Sequence, residues 1–280
     1  MKSDFNMIIA RTLEELENAR RALENPGFVP TMGALHAGHL ALIEAAKQAG
    51  LTPIASIFVN PTQFGPQEDL SRYPRDEAGD IAKLTKAGCA LLWLPDIETM
   101  YPKSNATTLH IGSPSLNWEG ARRPGHFNGV ATVVTKLFGQ TRPKAAFFGE
   151  KDWQQVQVIK RMVADLCLPV QIHTVPTMRE PDGLALSSRN VYLSPAERQI
   201  APLFHATLKQ AAQTIRAGQP SEIALKDACN TLTEAGMIPD YLALVHAESL
   251  EPLTQLIAPA RLIAAVRLGP VRLLDNLPVG

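Results

Sequence analysis

Short apolar runs alternate with amphipathic segments through the first half of the chain. Apolar runs of four to six residues predict strands, and segments whose apolar positions repeat at helical spacing predict helices. The predicted strands are 28–31, 54–59, 90–94, 145–148 and 170–175, and the predicted helices are 13–24, 40–49, 77–87, 127–138 and 152–165. This alternation predicts an α/β fold, a Rossmann-like doubly wound parallel sheet with helices on both faces.

The pattern changes after residue 176. Two predicted helices, 195–217 and 221–235, are followed by apolar runs near 241–246, 261–266 and 271–274. Helices followed by clustered strands are typical of a small α+β domain. We therefore expect two domains, residues 1–176 and a smaller C-terminal α+β domain, residues 177–280.

Composition narrows the classes of function. Of 280 residues, 45% are hydrophobic, and the 27 Lys and Arg residues balance the 27 Asp and Glu residues. A neutral chain has no overall field that attracts nucleic acid or an anionic membrane. The cysteines, Cys89, Cys167 and Cys229, are scattered, as is typical of reduced thiols, and the N-terminus lacks a signal-peptide pattern. We expect a cytoplasmic protein that acts on small molecules.

Two histidines mark the strongest candidate site. His36 and His39 lie between the predicted strand 28–31 and the predicted helix 40–49, among glycines that permit close approach of the backbone to a ligand. The N-terminus of a helix favours anions, so the pair suggests a phosphate site. A zinc site and ordinary loop histidines are the alternatives. The P-loop, G-x-G-x-x-G, G-x-S-x-G and H-E-x-x-H patterns are absent.

Three further segments carry polar side chains where strands or domains end. Lys151 lies at the start of the helix predicted from residue 152. A cation gains nothing from the positive end of a helix dipole, so its presence there suggests that it binds an anionic ligand. Ser187, Ser188 and Arg189 lie in a glycine-containing loop suited to a polyphosphate. The segment 60–63 follows the predicted strand 54–59, and the side-chain amides of Asn60 and Gln63 can form hydrogen bonds with hydroxyls and carboxylates of a ligand. An exposed lysine and ordinary turns are the structural alternatives.

Six segments, in order along the chain, together resemble the pantoate–β-alanine ligases, the pantothenate synthetase family. They are 30–39 (PTMGALHAGH), 57–64 (IFVNPTQF), 73–75 (YPR), 123–130 (RPGHFNGV), 148–152 (FGEKD) and 186–190 (LSSRN). The H-x-G-H part is shared with nucleotidylyltransferases and class I aminoacyl-tRNA synthetases. The chain departs from the family pattern at Trp153, where a tyrosine is common.

The resemblance implies condensation of (R)-pantoate with β-alanine, driven by ATP with Mg²⁺, through a pantoyl adenylate that releases AMP and diphosphate. It implies a homodimer with no nucleic-acid or membrane partner. Residues 1–176 would bind ATP and pantoate, and residues 177–280 would close over the site. A nucleotidylyltransferase acting on another small carboxylate or phosphate is the alternative, followed by a non-enzymatic nucleotide- or RNA-binding module and a zinc-binding scaffold.

The resemblance also assigns residues to roles. His39, His36 and Lys151 would be catalytic, with His39 donating a hydrogen bond or proton to a phosphate oxygen. Gln63, Gln155, Asn60 and Tyr73 would contact pantoate or β-alanine, and Asp80 would bind the metal. The residues assigned to ATP are Met32, Gly33, Ala34, Leu35, His36, Ala37, Gly38, His39, Gly149, Glu150, Lys151, Asp152, Met178, Leu186, Ser187, Ser188 and Arg189.

The reaction explains these residue types. A carboxyl group with a pKa of about 4 is already ionised at neutral pH, so pantoate needs no general base to attack the α-phosphorus of ATP. The barrier comes from negative charge on phosphorus and on the departing diphosphate, which positioned donors stabilise. Because an acyl adenylate hydrolyses in water, we also expect closure of the loop 182–190 or of the C-terminal domain.

Overall fold

A parallel sheet organises the first part of the chain in the computed structural model, which describes residues 6–66 and 68–280. Its strands are β1 (Ile8–Ala10), β2 (Pro26–Thr31), β3 (Thr52–Ile57), β4 (Leu91–Trp93), β5 (Ala145–Gly149) and β6 (Gln171–Val175). The helices are α1 (Leu13–Arg21), α2 (Ala37–Gln48), α3 (Glu77–Ala87), α4 (Ile97–Met100), α5 (Glu119–Arg122), α6 (His126–Thr141) and α7 (Trp153–Asp165). The strands lie side by side in the order β1-β4-β3-β2-β5-β6, and every neighbouring pair is parallel.

Apolar side chains on the central strands form the core of this sheet. Val29 of β2, Ala55 of β3 and Phe147 of β5 are buried together with Leu42 and Ile43 of α2. Burial of this kind, at about 25 cal/mol per Å² of apolar surface, is the main stabilising contribution to such a layer. The packing of α2 against three neighbouring strands fixes where its N-terminus lies along the sheet.

The second part of the chain pairs three helices with a three-stranded antiparallel sheet. The helices are α8 (Pro195–Ile200), α9 (Pro202–Arg216) and α10 (Ser221–Glu234), and the strands are β7 (Ile238–His246), β8 (Ala260–Leu268) and β9 (Val271–Pro278). The sheet order is β7-β8-β9. Its core packs Phe204 and Leu208 of α9 and Leu232 of α10 against Ala264 and Val266 of β8.

The predicted fold class is confirmed, with differences in single elements. The three-residue strand β1 and the four-residue helices α4 and α5 were not predicted, because elements this short show no clear periodicity. The helix predicted over 195–217 is two helices, because Pro202 has no backbone N–H to continue the ladder and instead begins α9. The helix predicted from residue 13 is present as α1, which begins with a capping box formed by Thr12 and Glu15.

The chain divides into two compact units. The first unit takes in the described residues of Met1–Glu150 and Val158–Pro176, and the second takes in Lys151–Gln157 and Thr177–Gly280. Residues 151–157, which the predicted boundary placed in the first domain, thus group with the second unit. Closure of residues 177–280 over the site stays a prediction. In the parts of the chain that the structure describes, no helix has both the length and the apolar character of a membrane span.

Candidate active site

The first unit brings three of the predicted segments to one edge of its sheet. Strands β3, β2 and β5 are adjacent and parallel, so the segments 58–64 and 32–39 and residue Glu150, which follow them, leave from the same edge. Ligands of open α/β sheets bind beyond the carboxyl ends of the strands. This topology supports a site built from residues that are more than a hundred positions apart.

His36 and His39 cap the N-terminus of α2 reciprocally. His36 is the N-cap residue, and its Nδ1 accepts a hydrogen bond from the Gly38 N–H at 3.2 Å. His39, in the first turn of the helix, accepts the His36 N–H on its own Nδ1 at 3.3 Å. The ring centroids are 4.1 Å apart. Because both Nδ1 atoms act as acceptors, each neutral imidazole carries its hydrogen on Nε2, where it is a donor.

This helix end is suited to an anion. The first turn of α2 contains no acidic residue, so nothing on the helix itself neutralises the positive end of its dipole. Two Nε2–H donors on half-buried rings add directional hydrogen bonds to that field. The predicted position of both histidines at a helix start is what the structure shows.

Asp80 holds the loop between β2 and α2. Gly33 and Ala34 have φ values of +84° and +51°, and this backbone conformation points the N–H groups of Ala34 and Leu35 toward Asp80. The Asp80 carboxylate accepts from the Ala34 N–H at 2.7 Å and from the Leu35 N–H at 2.8 Å. Its side chain is buried. These contacts describe a structural role, because each carboxylate oxygen is bonded to the backbone of this loop; the metal role of Asp80 stays a prediction.

Gln63 lies in a cluster of polar side chains beyond β3. The buried Asn60 donates through Nδ2 to Gln63 Oε1 at 3.1 Å, and Gln63 Nε2 lies 3.2 Å from Met32 Sδ. Tyr101 donates its hydroxyl to Asn60 Oδ1 at 2.8 Å. Three residues predicted for the site, Met32, Asn60 and Gln63, are thus linked by direct contacts. Tyr73 is also buried and packs edge-on against Phe64, with 5.9 Å between ring centroids.

An ion pair and a buried histidine hold the backbone of Gln63. Arg123 binds Glu68 with two hydrogen bonds of 2.6 Å and donates to the Gln63 carbonyl at 3.3 Å. His126 Nδ1 lies 2.8 Å from the same carbonyl, and its Nε2 lies 3.0 Å from Arg123 Nη1. Burial, followed by the Arg123 charge, lowers the pKa of His126 to about 4. The neutral ring therefore donates from Nδ1 to Gln63 and accepts from Arg123 on Nε2.

Sequence reasoning did not assign a role to this group of residues. The segment 123–130 entered only as part of a family pattern, and the partners Arg123 and Glu68 are 55 positions apart. Burial raises the pKa of Glu68, but hydrogen bonds and charge from Arg123 bring it below its ordinary value. An ionised Glu68 keeps the arginine in place beside the Gln63 turn.

In the second unit, Lys151 belongs to a 3-10 turn, Glu150–Asp152, that precedes α7. The helix begins at Trp153, one residue after the predicted start. Lys151 Nζ lies 3.3 Å from Asp152 Oδ1, and its side chain is 20% exposed. Gln155 follows in α7 and is half-buried. The lysine is thus close to a helix start, as predicted.

The loop from Met178 to Arg189 is a hairpin-like turn in the same unit. The Leu186 N–H donates to the Met178 carbonyl at 3.0 Å, and Arg179 pairs with Ala185. Ser187 caps the following 3-10 turn by accepting the Arg189 N–H on Oγ at 3.3 Å. The predicted ATP residues Met178 and Leu186 are therefore brought together by backbone pairing.

In residues 6–66 and 68–280, no group of three or more His, Cys, Asp and Glu side chains is placed to hold a metal ion.

Comparisons with known proteins agree with the resemblance. The family model described as Pantoate-beta-alanine ligase matches residues 8–278. The pantothenate synthetase of Granulibacter bethesdensis is 58% identical over 279 residues, 97% of this chain and 96% of that protein. That of Acidiphilium cryptum is 56% identical over 98% of this chain and 100% of its own.

Solved structures agree over the same length. The crystal structure of pantothenate synthetase from Thermus thermophilus has a TM-score of 0.93 at 50% identity and covers 98% of this chain and 99% of its own. The ligase from Francisella tularensis, complexed with beta-gamma ATP and β-alanine, has a TM-score of 0.84 at 36% identity and covers 98% of both chains.

Proposed function

The chain belongs to the pantoate–β-alanine ligase family and joins pantoate to β-alanine with ATP, and we propose the residues by which it does so. The observation that carries the proposal is the pair of histidines capping α2, each with its Nε2 as a hydrogen-bond donor. This arrangement supports binding of the ATP phosphates at the start of α2 by Met32 to His39.

In the first step, the pantoate carboxylate attacks the α-phosphorus of ATP, the bond from that phosphorus to the bridging oxygen breaks, and diphosphate leaves. His39 donates from Nε2 to a phosphate oxygen, His36 acts beside it, and Lys151 neutralises charge on the leaving diphosphate. These groups stabilise charge that develops in the transition state. Gln63 and Gln155 hold pantoate, with Asn60 and Tyr73 shaping the pocket around Gln63.

In the second step, the amine of β-alanine attacks the carbonyl of the pantoyl adenylate. The amide bond forms, the acyl–phosphate bond breaks, AMP leaves and the amine loses a proton. The Francisella ligase bound to beta-gamma ATP and β-alanine supports these two substrates. Gly149 to Asp152, Met178 and Leu186 to Arg189 complete the proposed ATP contacts.

Mg²⁺ is proposed to arrive with ATP as part of the substrate. Mg²⁺ commonly keeps several waters and is held by substrate phosphates with one or two carboxylates. Asp80 is the carboxylate we propose near the ion. The ion would supply further neutralisation of phosphate charge. We also propose a homodimer and a cytoplasmic location. The free cysteines Cys89, Cys167 and Cys229 support the location, because thiols stay reduced in the cytoplasm.

Isotope exchange tests the proposed route. The wild-type protein should exchange labelled diphosphate into ATP only when pantoate is present, and should release AMP stoichiometrically when β-alanine is added. Exchange without β-alanine-dependent AMP release would indicate a nucleotidylyltransferase instead. Absence of exchange with both substrates present contradicts the adenylate route.

His39→Ala tests the role of the histidine pair. Loss of one positioned donor typically raises the barrier by about 3 kcal/mol, so exchange should fall on the order of a hundredfold. His39→Gln is the matched variant, because it keeps a side chain of similar length and a donor group. An unimpaired His39→Ala enzyme would remove His39 from the mechanism while leaving the overall reaction intact.

A further inference from the structure

Two adjacent polar residues of strand β9, Asp275 and Asn276, are buried. Asp275 and Asn276 are only 3% and 6% exposed. Buried polar side chains require hydrogen-bond partners, and both residues have them. Successive residues of a strand point to opposite faces of the sheet, so the two side chains serve different surroundings.

Asn276 binds the segment that carries Lys151. Its Nδ2 donates to the Lys151 carbonyl at 2.9 Å, and its Oδ1 accepts from Arg261 Nη1. The Arg261 guanidinium stacks over the Trp153 ring, 3.6 Å from the centroid. Trp153 in turn donates its indole N–H to the Ala247 carbonyl at 2.6 Å. The turn bearing Lys151 is thus fastened to the three-stranded sheet both at the lysine's own carbonyl and two residues further on.

Asp275 binds the base of the loop that carries Met178 and Leu186. Its carboxylate accepts two hydrogen bonds from Arg179, at 2.7 and 2.8 Å, and faces His205 Nδ1 at 3.1 Å. Burial opposes ionisation, but bonds from His205 and Arg179 hold the pKa of Asp275 below its ordinary value. Arg179 also donates to the Gly183 carbonyl at 3.1 Å, across the turn.

We propose that Asp275 and Asn276 are positioning residues that hold the Lys151 turn and the Met178–Leu186 loop at a fixed spacing for ATP. The inference rests on the proposed function, because it takes the ATP roles of Lys151, Met178 and Leu186 from there. One dipeptide fixes both segments, so a shift of β9 would move both sets of ATP contacts. A positioning role differs from general stabilisation of the fold, because Asn276 would then affect the reaction only through Lys151.

A double-mutant cycle tests the link from Asn276 to Lys151. Asn276→Ala should lower the pantoate-dependent exchange rate about tenfold, the effect of losing one supporting hydrogen bond. Lys151→Ala should lower it on the order of a hundredfold. If Asn276 acts through Lys151, the double variant should be no slower than Lys151→Ala alone. Multiplication of the two effects would overturn the proposal.

Arg216→Ala is the matched structural control. Arg216 donates to the carbonyls of Val279 and Pro278, so its loss also removes hydrogen bonds that hold the β9 end of the chain. We expect a lower melting temperature with an unchanged exchange rate per folded molecule. A loss of exchange as large as that of Asn276→Ala would show a general effect of β9 and overturn the proposal.

Hydrogen exchange of backbone amides provides a readout that does not depend on activity. Asn276→Ala should speed exchange within residues 151–157 at least about threefold relative to Arg216→Ala, since local opening becomes easier. Asp275→Asn should do the same within residues 178–187 and raise KM for ATP more than it changes kcat. Unchanged exchange in both segments would overturn the proposal. A wild-type enzyme without pantoate-dependent exchange of diphosphate would instead contradict the proposed function.

Discussion

The two histidines at the start of α2 serve the fold and the proposed chemistry with different ring nitrogens. Nδ1 of each ring accepts a backbone N–H, which fixes the ring orientation and places the hydrogen on Nε2. Histidine is an uncommon capping residue, and here a reciprocal pair replaces the usual hydroxyl and carboxylate. A carboxylate in this turn would repel ATP, whereas imidazole caps the helix and still donates to phosphate.

Local contacts of single residues could be predicted from the sequence, whereas contacts between distant residues could not. The helix start at His36 and His39 is a local pattern, and it was predicted. The bond from Asp80 to Ala34 links positions 46 apart, and no local periodicity encodes such a contact. Resemblance predicted a metal role for Asp80, and the structure adds a second role, since its buried carboxylate is bonded to loop N–H groups. The sequence did not predict a role for Asn276, because a polar residue just after an apolar run becomes significant only once its partner is known.

The neutral His126 predicts a loss of stability in mild acid. Its pKa is about 4 in the folded chain and ordinarily 6.5. The unfolded chain therefore takes up the proton first, so the contribution of His126 is complete above pH 6.5 and is lost as pH falls toward 4. By pH 4.5 the loss relative to pH 7 should be about 2 kcal/mol.

Urea unfolding of wild type and His126→Gln between pH 7 and pH 4.5 measures this effect. The variant lacks the titrating ring, so its unfolding free energy should fall by about 2 kcal/mol less over that range. Glu68 and Asp275 also have lowered pKa values, from ordinary values of 4.5 and 3.8. The stability that these two carboxylates contribute is therefore lost mainly as the pH falls below those ordinary values. Parallel pH dependences of the two proteins would contradict the depressed pKa of His126.

At the scale of elements, the strand order of the parallel sheet brings the candidate site segments of the first unit together. Apolar runs and helical spacing were sufficient to predict most strands and helices, because burial dominates both patterns. The adjacency of β3, β2 and β5 follows from the sheet topology, and it places the His36 and Gln63 segments at one edge. What periodicity did not predict was the close approach of α6 to the turn 61–63, which depends on a missing side chain at Gly129.

Gly129→Ala should displace the turn that carries Gln63. A Cβ at this position would lie 2.8 Å from Gln63 Cα and closer still to the Thr62 carbonyl group, so helix or turn must move. The Gly129 carbonyl also accepts the Asn60 Nδ2–H at 3.2 Å. We expect kcat/KM for pantoate to fall at least about tenfold, because misplacement of a positioning group is costly.

Gly139→Ala is the control for this change. Gly139 is on the same helix, and a Cβ there meets no atom within 4 Å. Alanine is favoured over glycine in a helix by about 1 kcal/mol, so this variant should be at least as stable as wild type and fully active. Equal activity of the Gly129 and Gly139 variants toward pantoate would show that the close approach does not position Gln63.

At the scale of the whole molecule, the proposed chemistry places different demands on the two units. The first unit carries the proposed phosphate-binding helix end and the proposed pantoate contacts beside a sheet with an apolar core. The second unit contains Lys151, the loop 182–190 and a smaller sheet of three strands. Because the adenylate must meet β-alanine before water, some part of the protein has to exclude solvent between the two steps.

The loop 182–190 is the segment we expect to close over the site when ATP and pantoate bind together. Arg189 is half-buried, and Val191, two residues further on, is 74% exposed. We expect trypsin to cleave after Arg189 in the unliganded protein. With both substrates, cleavage there should slow at least about tenfold, whereas cleavage after the exposed Arg216 should not change. Either substrate alone should protect less, since the adenylate is what requires shielding. Equal cleavage after Arg189 with and without both substrates would exclude this loop as the shield and leave the histidine-based phosphate site unaffected.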